Sequence, residues 1–319
     1  MTTHHTNHTH ELPHLSELIE DIKDKKELRT LDDGFVKNKM DAYFSERFHE
    51  QEKKKFLEKL KNSKTYKQFT KSKEYKFIIK ELRAELRKVY GVFILEGYEK
   101  RKKILQELSE LDKDDKEESM KLHEQLFNLH KSTKERMDHY DELYKTIFDT
   151  IENLDREDKS LAGKHKFTFM DLACGLNPIS TVLFRDKIQR YYASDISTED
   201  CEFLKDYFDT TELDAIIFPA DLTDEKLFYK LEKIPVDICL IFKTLDGLER
   251  IKRNISKDLM NCLNTKYFAI TFPTLSISAH REIKEHRRQW FEKMLDNLGW
   301  KYEKFTMDSE LLYVIKKGK

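Results

Sequence analysis

Hydrophobic positions divide the chain into two parts with different periodicity. Between residues 15 and 154 they recur at helical spacing, as at Ile78, Leu82 and Leu86, which is the pattern of amphipathic helices. From residue 161 onward, short apolar runs alternate with helical stretches, as in parallel strands joined by helices. We therefore expect a disordered tail over residues 1–14, an all-helical domain over residues 15–160 and an α/β domain over residues 161–319.

Seven strands are predicted in the second part. They cover residues 167–172, 191–194, 215–218, 236–242, 267–271, 301–306 and 311–315. Only four residues separate the last two strands, which favours an antiparallel hairpin. Such a hairpin distinguishes the predicted Rossmann-like, seven-stranded sheet from an ordinary dinucleotide-binding fold. The predicted fold class is therefore α/β with that sheet, preceded by helices.

Composition narrows the class of protein. No apolar run approaches the roughly 20 residues of a membrane-spanning helix, so an integral membrane protein is not expected. The chain has four cysteines, and their spacing suggests neither a zinc site nor a disulfide framework, which fits a reducing cytoplasm. Five histidines lie among the first fourteen residues, and we expect no metal site there because compositional motifs are weak evidence.

Positive charge is concentrated in one segment of the helical part. Residues 53–88 contain fourteen Lys or Arg against four Glu, and Phe56, Tyr66, Phe69, Tyr75 and Phe77 are interleaved with them. Such a segment would attract a nucleic-acid backbone, because neutralising phosphates releases condensed counterions. The alternative is an ordinary solvated helical face, and the segment alone does not decide between the two.

Polar and small residues follow the ends of the first three predicted strands. Ligands of open parallel sheets bind beyond these carboxyl ends. After the first strand, Gly175 allows close backbone approach, and a helix is expected to begin at Pro178 with Asn177 as its cap. Asp195, after the second strand, can accept hydrogen bonds from both hydroxyls of a ribose, and Asp221, after the third, from an adenine amino group. Each aspartate alone could instead cap a helix, but together they favour an adenosyl cofactor.

Several motifs resemble those of the aminoglycoside-resistance methyltransferases, which methylate guanine N7 in the decoding site of small-subunit ribosomal RNA. They are residues 130–136, 171–178, 193–196, 241–249 and 271–276, followed by Trp290 and Phe291. The resemblance spans roughly residues 75–300. It implies the Rossmann-like fold of class I S-adenosyl-L-methionine-dependent methyltransferases, with that cofactor, and small-subunit RNA as the partner. The helical domain over residues 15–160 would bind the RNA through backbone contacts. The enzyme would have no metal and no general base, and it is expected to be a monomer.

The resemblance also implies roles for individual residues. The expected cofactor-binding residues are Arg136, Asp171, Ala173, Cys174, Gly175, Asn177, Asp195, Ile196, Asp221, Leu222, Lys243 and Thr244. Among them, Arg136 would pair with the carboxylate of the cofactor. The expected substrate-binding residues are Lys243, Phe272, Pro273, Thr274, Ser276 and Arg281, with Pro273, Thr274 and Ser276 positioning the target base.

One loop departs from the family pattern. The family has Arg-Ser-Leu-Gly-Gly-Arg after its Pro-Thr pair, whereas residues 275–281 read Leu-Ser-Ile-Ser-Ala-His-Arg. Arg281 can replace the last arginine after a one-residue shift. The change leaves the target nucleotide open and favours a divergent housekeeping or archaeal-type relative. It also keeps open a methyltransferase acting on tRNA or protein, and a non-catalytic RNA-binding factor that retains the fold.

Overall fold

The structure is a computed structural model that describes residues 13–25, 27–46, 50–89, 93–112, 114–156, 161, 163–275 and 282–318. It separates into two compact units, Met1–Ile94 and Leu95–Lys319. Most of the expected tail, residues 1–12, lies outside the described residues. Within the described part of the chain, no helix is both long and apolar enough to cross a bilayer.

Unit 1 consists of helices. They are α1 (Leu15–Lys23), α2 (Asp33–Glu46), α3 (Glu50–Asn62), α4 (Tyr66–Phe69) and α5 (Lys73–Val89). Phe56 and Phe69 of the basic segment lie in the core of the unit, with their rings 5.4 Å apart, and the ring of the half-buried Tyr75 lies 5.5 Å from that of Phe69. Phe77, in contrast, is 45% exposed. Two of the five rings are therefore packed inside the unit and are not available to stack on bases, whereas Tyr66 and Tyr75 are half-buried.

Unit 2 contains the remaining helices and all seven strands of the described sheet. Its α-helices are α6 (Arg101–Glu110), α7 (Lys116–Phe127), α8 (Lys131–Arg136), α9 (Tyr140–Asp155), α10 (Thr198–Thr211), α11 (Glu225–Leu231), α12 (Leu245–Ile251), α13 (Ile255–Cys262) and α14 (Gln289–Leu298). Short 3₁₀ helices cover Tyr98–Lys100, Met137–His139, Asn177–Leu183, Arg185–Lys187 and Glu285–Arg288.

The sheet confirms the predicted fold. Its strands are β1 (Phe167–Leu172), β2 (Ile188–Asp195), β3 (Ala215–Pro219), β4 (Val236–Phe242), β5 (Thr265–Pro273), β6 (Lys301–Thr306) and β7 (Glu310–Lys316). The strand order is β3-β2-β1-β4-β5-β7-β6. β1 to β5 are parallel and β7 runs antiparallel to β5 and β6. The order reverses between β1 and β4, where a ligand crevice is expected.

Helices α6 to α9, which precede the sheet, belong to the same unit as the sheet. The Phe148 ring of α9 lies 6.3 Å from the Phe169 ring of β1, and the Tyr267 hydroxyl of β5 donates to Asp155 at 2.8 Å. The compact units thus divide at 94/95, whereas the change of periodicity placed the domain boundary at 160/161. Periodicity identifies the buried face of a helix, but not the surface on which that face packs.

Candidate active site

The ends of β1 and β2 meet through a carboxylate. Asp195, the last residue of β2, accepts hydrogen bonds from the backbone N–H of Gly175 at 2.8 Å and of Ser197 at 3.0 Å. The end of β3 joins the same rim, because Ala220 N–H donates to the Asp195 carbonyl at 2.8 Å. Two residues predicted to hold one cofactor, Gly175 and Asp195, are therefore in direct contact although they are distant in sequence.

Helix capping does not explain Asp195. Ser197 is the N-cap of α10, and its Oγ accepts from the Asp200 N–H at 3.2 Å. Burial raises the pKa of Asp195 to about 6, and the nearby Asp200 adds to the effect against the hydrogen bonds from Ser197 and Gly175. A buried carboxylate that is not the helix cap favours a ligand-binding role over the capping alternative.

A second buried carboxylate lies at the end of β1. Asp171 Oδ2 accepts from Asn177 Nδ2 at 2.8 Å and from the Tyr191 hydroxyl at 2.9 Å. Its Oδ1 is buried and has no hydrogen-bond partner within the described residues. Burial raises the pKa of Asp171 to about 7. Asn177 therefore joins this network through its side chain and is the first residue of a 3₁₀ helix, whereas the sequence predicted it as a cap.

The turn after β1 approaches a histidine closely. Gly175 has a φ of 50°, and a Cβ at this position would lie 2.9 Å from ring atoms of His130. Only glycine tolerates both the left-handed backbone and this contact. Burial lowers the pKa of His130 to about 3, with help from Arg136 and Lys243. His130 is therefore neutral at physiological pH.

Arg136 occupies the centre of a buried charge cluster. Its Nε and Nη2 contact Glu310 Oε1 at 2.7 Å and Oε2 at 3.2 Å, and its Nη1 lies 3.4 Å from Asn177 Oδ1. Lys243 Nζ contacts Glu310 Oε1 at 2.9 Å and Glu135 Oε2 at 2.6 Å. Lys243 thus faces two carboxylates of the protein, although the sequence placed it against RNA or cofactor.

An arginine contacts the backbone of the turn after β5. Arg288 Nη1 contacts both carboxylate oxygens of Asp246 at 2.6 Å, and its Nη2 donates to the Pro273 carbonyl at 3.1 Å. Pro273 and Thr274 are half-buried at the rim. Phe272, expected to contact substrate, has a fully buried ring 4.9 Å from that of Phe291, so the ring supports the turn from inside.

The other predicted site residues lie at the strand ends with less direct contacts. Asp221 Oδ1 accepts from the Thr223 N–H at 2.8 Å, and Leu222 is buried in the core of the unit. Thr244 precedes α12, and its hydroxyl donates to the Phe242 carbonyl at 2.9 Å. Cys174 is buried, and Ala173 and Ile196 are half-buried. Ser276 and Arg281 lie outside the described residues.

Sequence reasoning missed Glu310, Glu135 and Arg288. Glu310 was assigned to the turn before the last strand, yet it is the first residue of β7 and pairs with Pro273 of β5. Because β7 is antiparallel to β5, the start of β7, and not its end, reaches the rim. That topological signal was present in the predicted hairpin. Arg288 carried no local signal, since its partner Asp246 is 42 residues away.

The polar groups of this rim fit S-adenosylmethionine. The orphaned Asp171 Oδ1 suits an ammonium group, which donates only. Each carboxylate oxygen of Asp195 accepts one backbone bond and keeps a lone pair for a ribose hydroxyl. Arg136 binds Glu310 through Nε and Nη2, which leaves the Nη1 edge for another carboxylate.

Comparisons with known proteins agree with this site. The model of the family "Ribosomal RNA methyltransferase (FmrO)" matches residues 70–314. A 16S rRNA (guanine(1405)-N(7))-methyltransferase of Micromonospora rosea is 26% identical over 242 residues, covering 75% of this chain and 82% of that protein. One of Serratia marcescens is 30% identical over 192 residues, covering 60% of this chain and 68% of that protein.

A solved structure shares the fold. The crystal structure of the 16S rRNA methyltransferase RmtF in complex with S-adenosyl-L-homocysteine aligns with a TM-score of 0.65 at 20% identity, covering 95% of this chain and 98% of that chain. The family model covers well over half of the present chain. The chain is therefore an S-adenosylmethionine-dependent methyltransferase of the ribosomal RNA methyltransferase (FmrO) family.

Proposed function

We propose that this enzyme methylates guanine N7 of small-subunit ribosomal RNA in the cytoplasm, acting as a monomer. The observation that carries the proposal is the contact between Gly175 and Asp195, beside the orphaned oxygen of Asp171. Two relatives are named for guanine N7 of 16S rRNA, and this chain covers 82% and 68% of their lengths. The same rim is where a nucleotide cofactor is expected in this sheet.

In this proposal the chain acts by alignment. When bound, S-adenosylmethionine supplies an electrophilic methyl group. The lone pair of guanine N7 needs no proton removed, so the enzyme needs no general base. His130 is neutral and therefore lacks the acidic proton of an imidazolium. Asp171, Asp195 and Arg136 hold the cofactor, and Pro273 and Thr274 support the base. Such positioning alone can supply about 7 to 11 kcal/mol.

Methyl transfer to three RNAs tests the proposal. Labelled S-adenosylmethionine is supplied with intact small subunits, with naked small-subunit rRNA and with tRNA, and modified RNA is then cleaved by borohydride and aniline, which cut at N7-methylguanine. We expect label and a cleavage band with intact subunits, and weaker transfer to naked rRNA, because RNA is recognised largely through shape and backbone.

A pair of aspartate variants controls this assay. Asp195→Ala removes the rim carboxylate, and we expect it to lower cofactor affinity by about ten-fold or more. Asp186→Ala removes an exposed carboxylate of the 3₁₀ helix that precedes β2. This helix lies at the amino end of the strand, away from the rim, so the cofactor affinity should stay unchanged. Transfer to tRNA alone, to protein, or label without a cleavage band would overturn the proposed target.

A further inference from the structure

Four buried or half-buried charges link the helical motif at α8 to the sheet rim. Glu310 contacts Arg136 with both of its oxygens and contacts Lys243 with one, and Lys243 also contacts Glu135. The side chains of Arg136 and Glu310 are each 5% exposed, and that of Lys243 is 7% exposed. Burying each of these ions costs several kcal/mol of desolvation free energy. Charged residues that serve only solubility would lie on the surface, so this cluster requires another role.

The cluster fixes the plane of one guanidinium group. Glu310 holds the Nε and Nη2 edge of Arg136, and the ring of Phe242 lies 4.7 Å from its Cζ. Since a guanidinium is planar, these two contacts determine where Nη1 points. Nη1 lies beside Asn177, whose Nδ2 donates to Asp171. Nη1 therefore lies beside the residue that also binds Asp171, the carboxylate with the orphaned oxygen.

We propose that Glu310 is a positioning residue, which orients Arg136 so that its Nη1 edge receives the carboxylate of the amino-acid part of the cofactor. The inference rests on the proposed site for S-adenosylmethionine. Lys243 takes part by neutralising the Oε1 atom of Glu310 from the end of β4, where its backbone φ of 56° is left-handed. Glu135 balances Lys243, so the four side chains carry no net charge.

The charge state of Glu310 supports this arrangement. Burial alone would raise the pKa of Glu310, but the charges of Arg136 and Lys243 hold it below its usual value. Glu310 is therefore ionised and accepts from both cations. An amide in its place could accept at one atom only, and its NH₂ group would oppose an N–H of Arg136 or the ammonium of Lys243.

The variant Glu310→Gln tests the inference by ligand binding. Calorimetry measures the affinity for S-adenosylhomocysteine, which carries the amino-acid part, and for 5′-methylthioadenosine, which lacks it. We expect Glu310→Gln to weaken S-adenosylhomocysteine about ten- to a hundred-fold, as for a charged hydrogen bond, and to leave 5′-methylthioadenosine within about two-fold. The exposed Glu303→Gln on β6 is the matched control and should change neither affinity.

Other results would overturn the inference in distinct ways. Equal loss for both ligands means that Glu310 supports the whole unit, and tighter binding of S-adenosylhomocysteine means that Glu310 competes with the cofactor carboxylate. If Glu310→Gln does not fold, Glu310→Asp keeps the charge but shortens the side chain, and the same selective loss is expected.

A double-mutant cycle and the wild-type protein complete the test. In the Arg136→Lys background, the added Glu310→Gln change should no longer affect S-adenosylhomocysteine, because its effect passes through Arg136. An undiminished effect in that background would contradict the inference. Failure of the wild-type protein to bind S-adenosylhomocysteine would instead remove the cofactor site itself.

Discussion

At the scale of single residues, buried carboxylates dominate the active site. Asp171 and Asp195 lie at adjacent strand ends, and burial raises the pKa of the first to about 7 and of the second to about 6. Among the described residues, neither forms an ion pair like that of Glu310 with Arg136. The protein therefore keeps poorly solvated acids where a ligand with an ammonium and two hydroxyls would satisfy them.

Asp171→Asn should separate the structural cost of this carboxyl from its use. The folded pKa is raised, so the stability that the carboxyl contributes is present below its unfolded value and is lost as pH rises through about 7. Relative to the wild type, the variant should therefore gain roughly 1 to 4 kcal/mol in the free energy of unfolding as pH rises from about 4 to about 7. Chemical denaturation at several pH values measures this difference.

Asp186→Asn provides the comparison for that measurement, because its side chain is exposed and should show no such gain. Asp171→Asn should also weaken S-adenosylmethionine, since an amide cannot satisfy an ammonium as a carboxylate does. If Asp171→Asn shows no pH-dependent gain in the free energy of unfolding and binds the cofactor with normal affinity, Asp171 is not part of the site.

At the scale of elements, the β5 turn depends on a side chain from the 3₁₀ helix before α14. Arg288 is 4% exposed, contacts the Pro273 carbonyl, and lies with its Cζ 4.5 Å from the Phe272 ring. Its pair with Asp246 joins this turn to α12. The proposed base pocket is thus held by contacts that no bound nucleotide has to form.

Arg288→Lys should lower the rate of methyl transfer without changing cofactor binding. Lysine can still pair with Asp246 but cannot also hold the Pro273 carbonyl with the same fork. We expect kcat to fall about ten-fold while the KM for S-adenosylmethionine stays unchanged, as measured by steady-state transfer to small subunits. Arg287→Lys, at the exposed neighbouring position, should be silent. A parallel rise in the cofactor KM would point to a general loss of structure.

The elements also show what sequence could provide. The parallel strands were predictable because buried parallel strands are continuous apolar runs, and β1 and β4 have the predicted bounds. The antiparallel β6 also has the predicted bounds. The Gly175–Asp195 contact followed from strand order. The Arg136–Glu310 pair did not, because its members are 174 residues apart and each is an ordinary charged residue in its own segment. Long-range pairs of this kind need the register of β7 against β5.

At the scale of the whole molecule, charge and chemistry lie in different units. Ten lysines of the basic segment are exposed in unit 1, whereas every predicted cofactor residue lies in unit 2. Binding of RNA by the basic segment would therefore depend mainly on these charges, because two of its five aromatic rings are buried in the unit and two are half-buried.

Reversing lysine charges in unit 1 should weaken binding to the small ribosomal subunit and leave the affinity for the cofactor unchanged. In the full chain, Lys61→Glu with Lys80→Glu should lower affinity for small subunits and reduce its salt dependence, because fewer counterions are released. Lys233→Glu with Lys257→Glu, at exposed positions of unit 2, should have a smaller effect. Binding measured at several salt concentrations distinguishes these outcomes, and an unchanged salt slope would assign the basic segment to a solvated face.

The division at 94/95 affects how such enzymes can exchange parts during evolution. A genetic crossover at 160/161 would transfer the sheet without α9. The recipient would then lack Asp155, the partner of Tyr267, and the Phe148 ring that packs on Phe169. A crossover at 94/95 would pass on the sheet together with α6 to α9 as one inherited piece. Chimaeras joined there would exchange helices α1 to α5 of two relatives while keeping one catalytic unit intact.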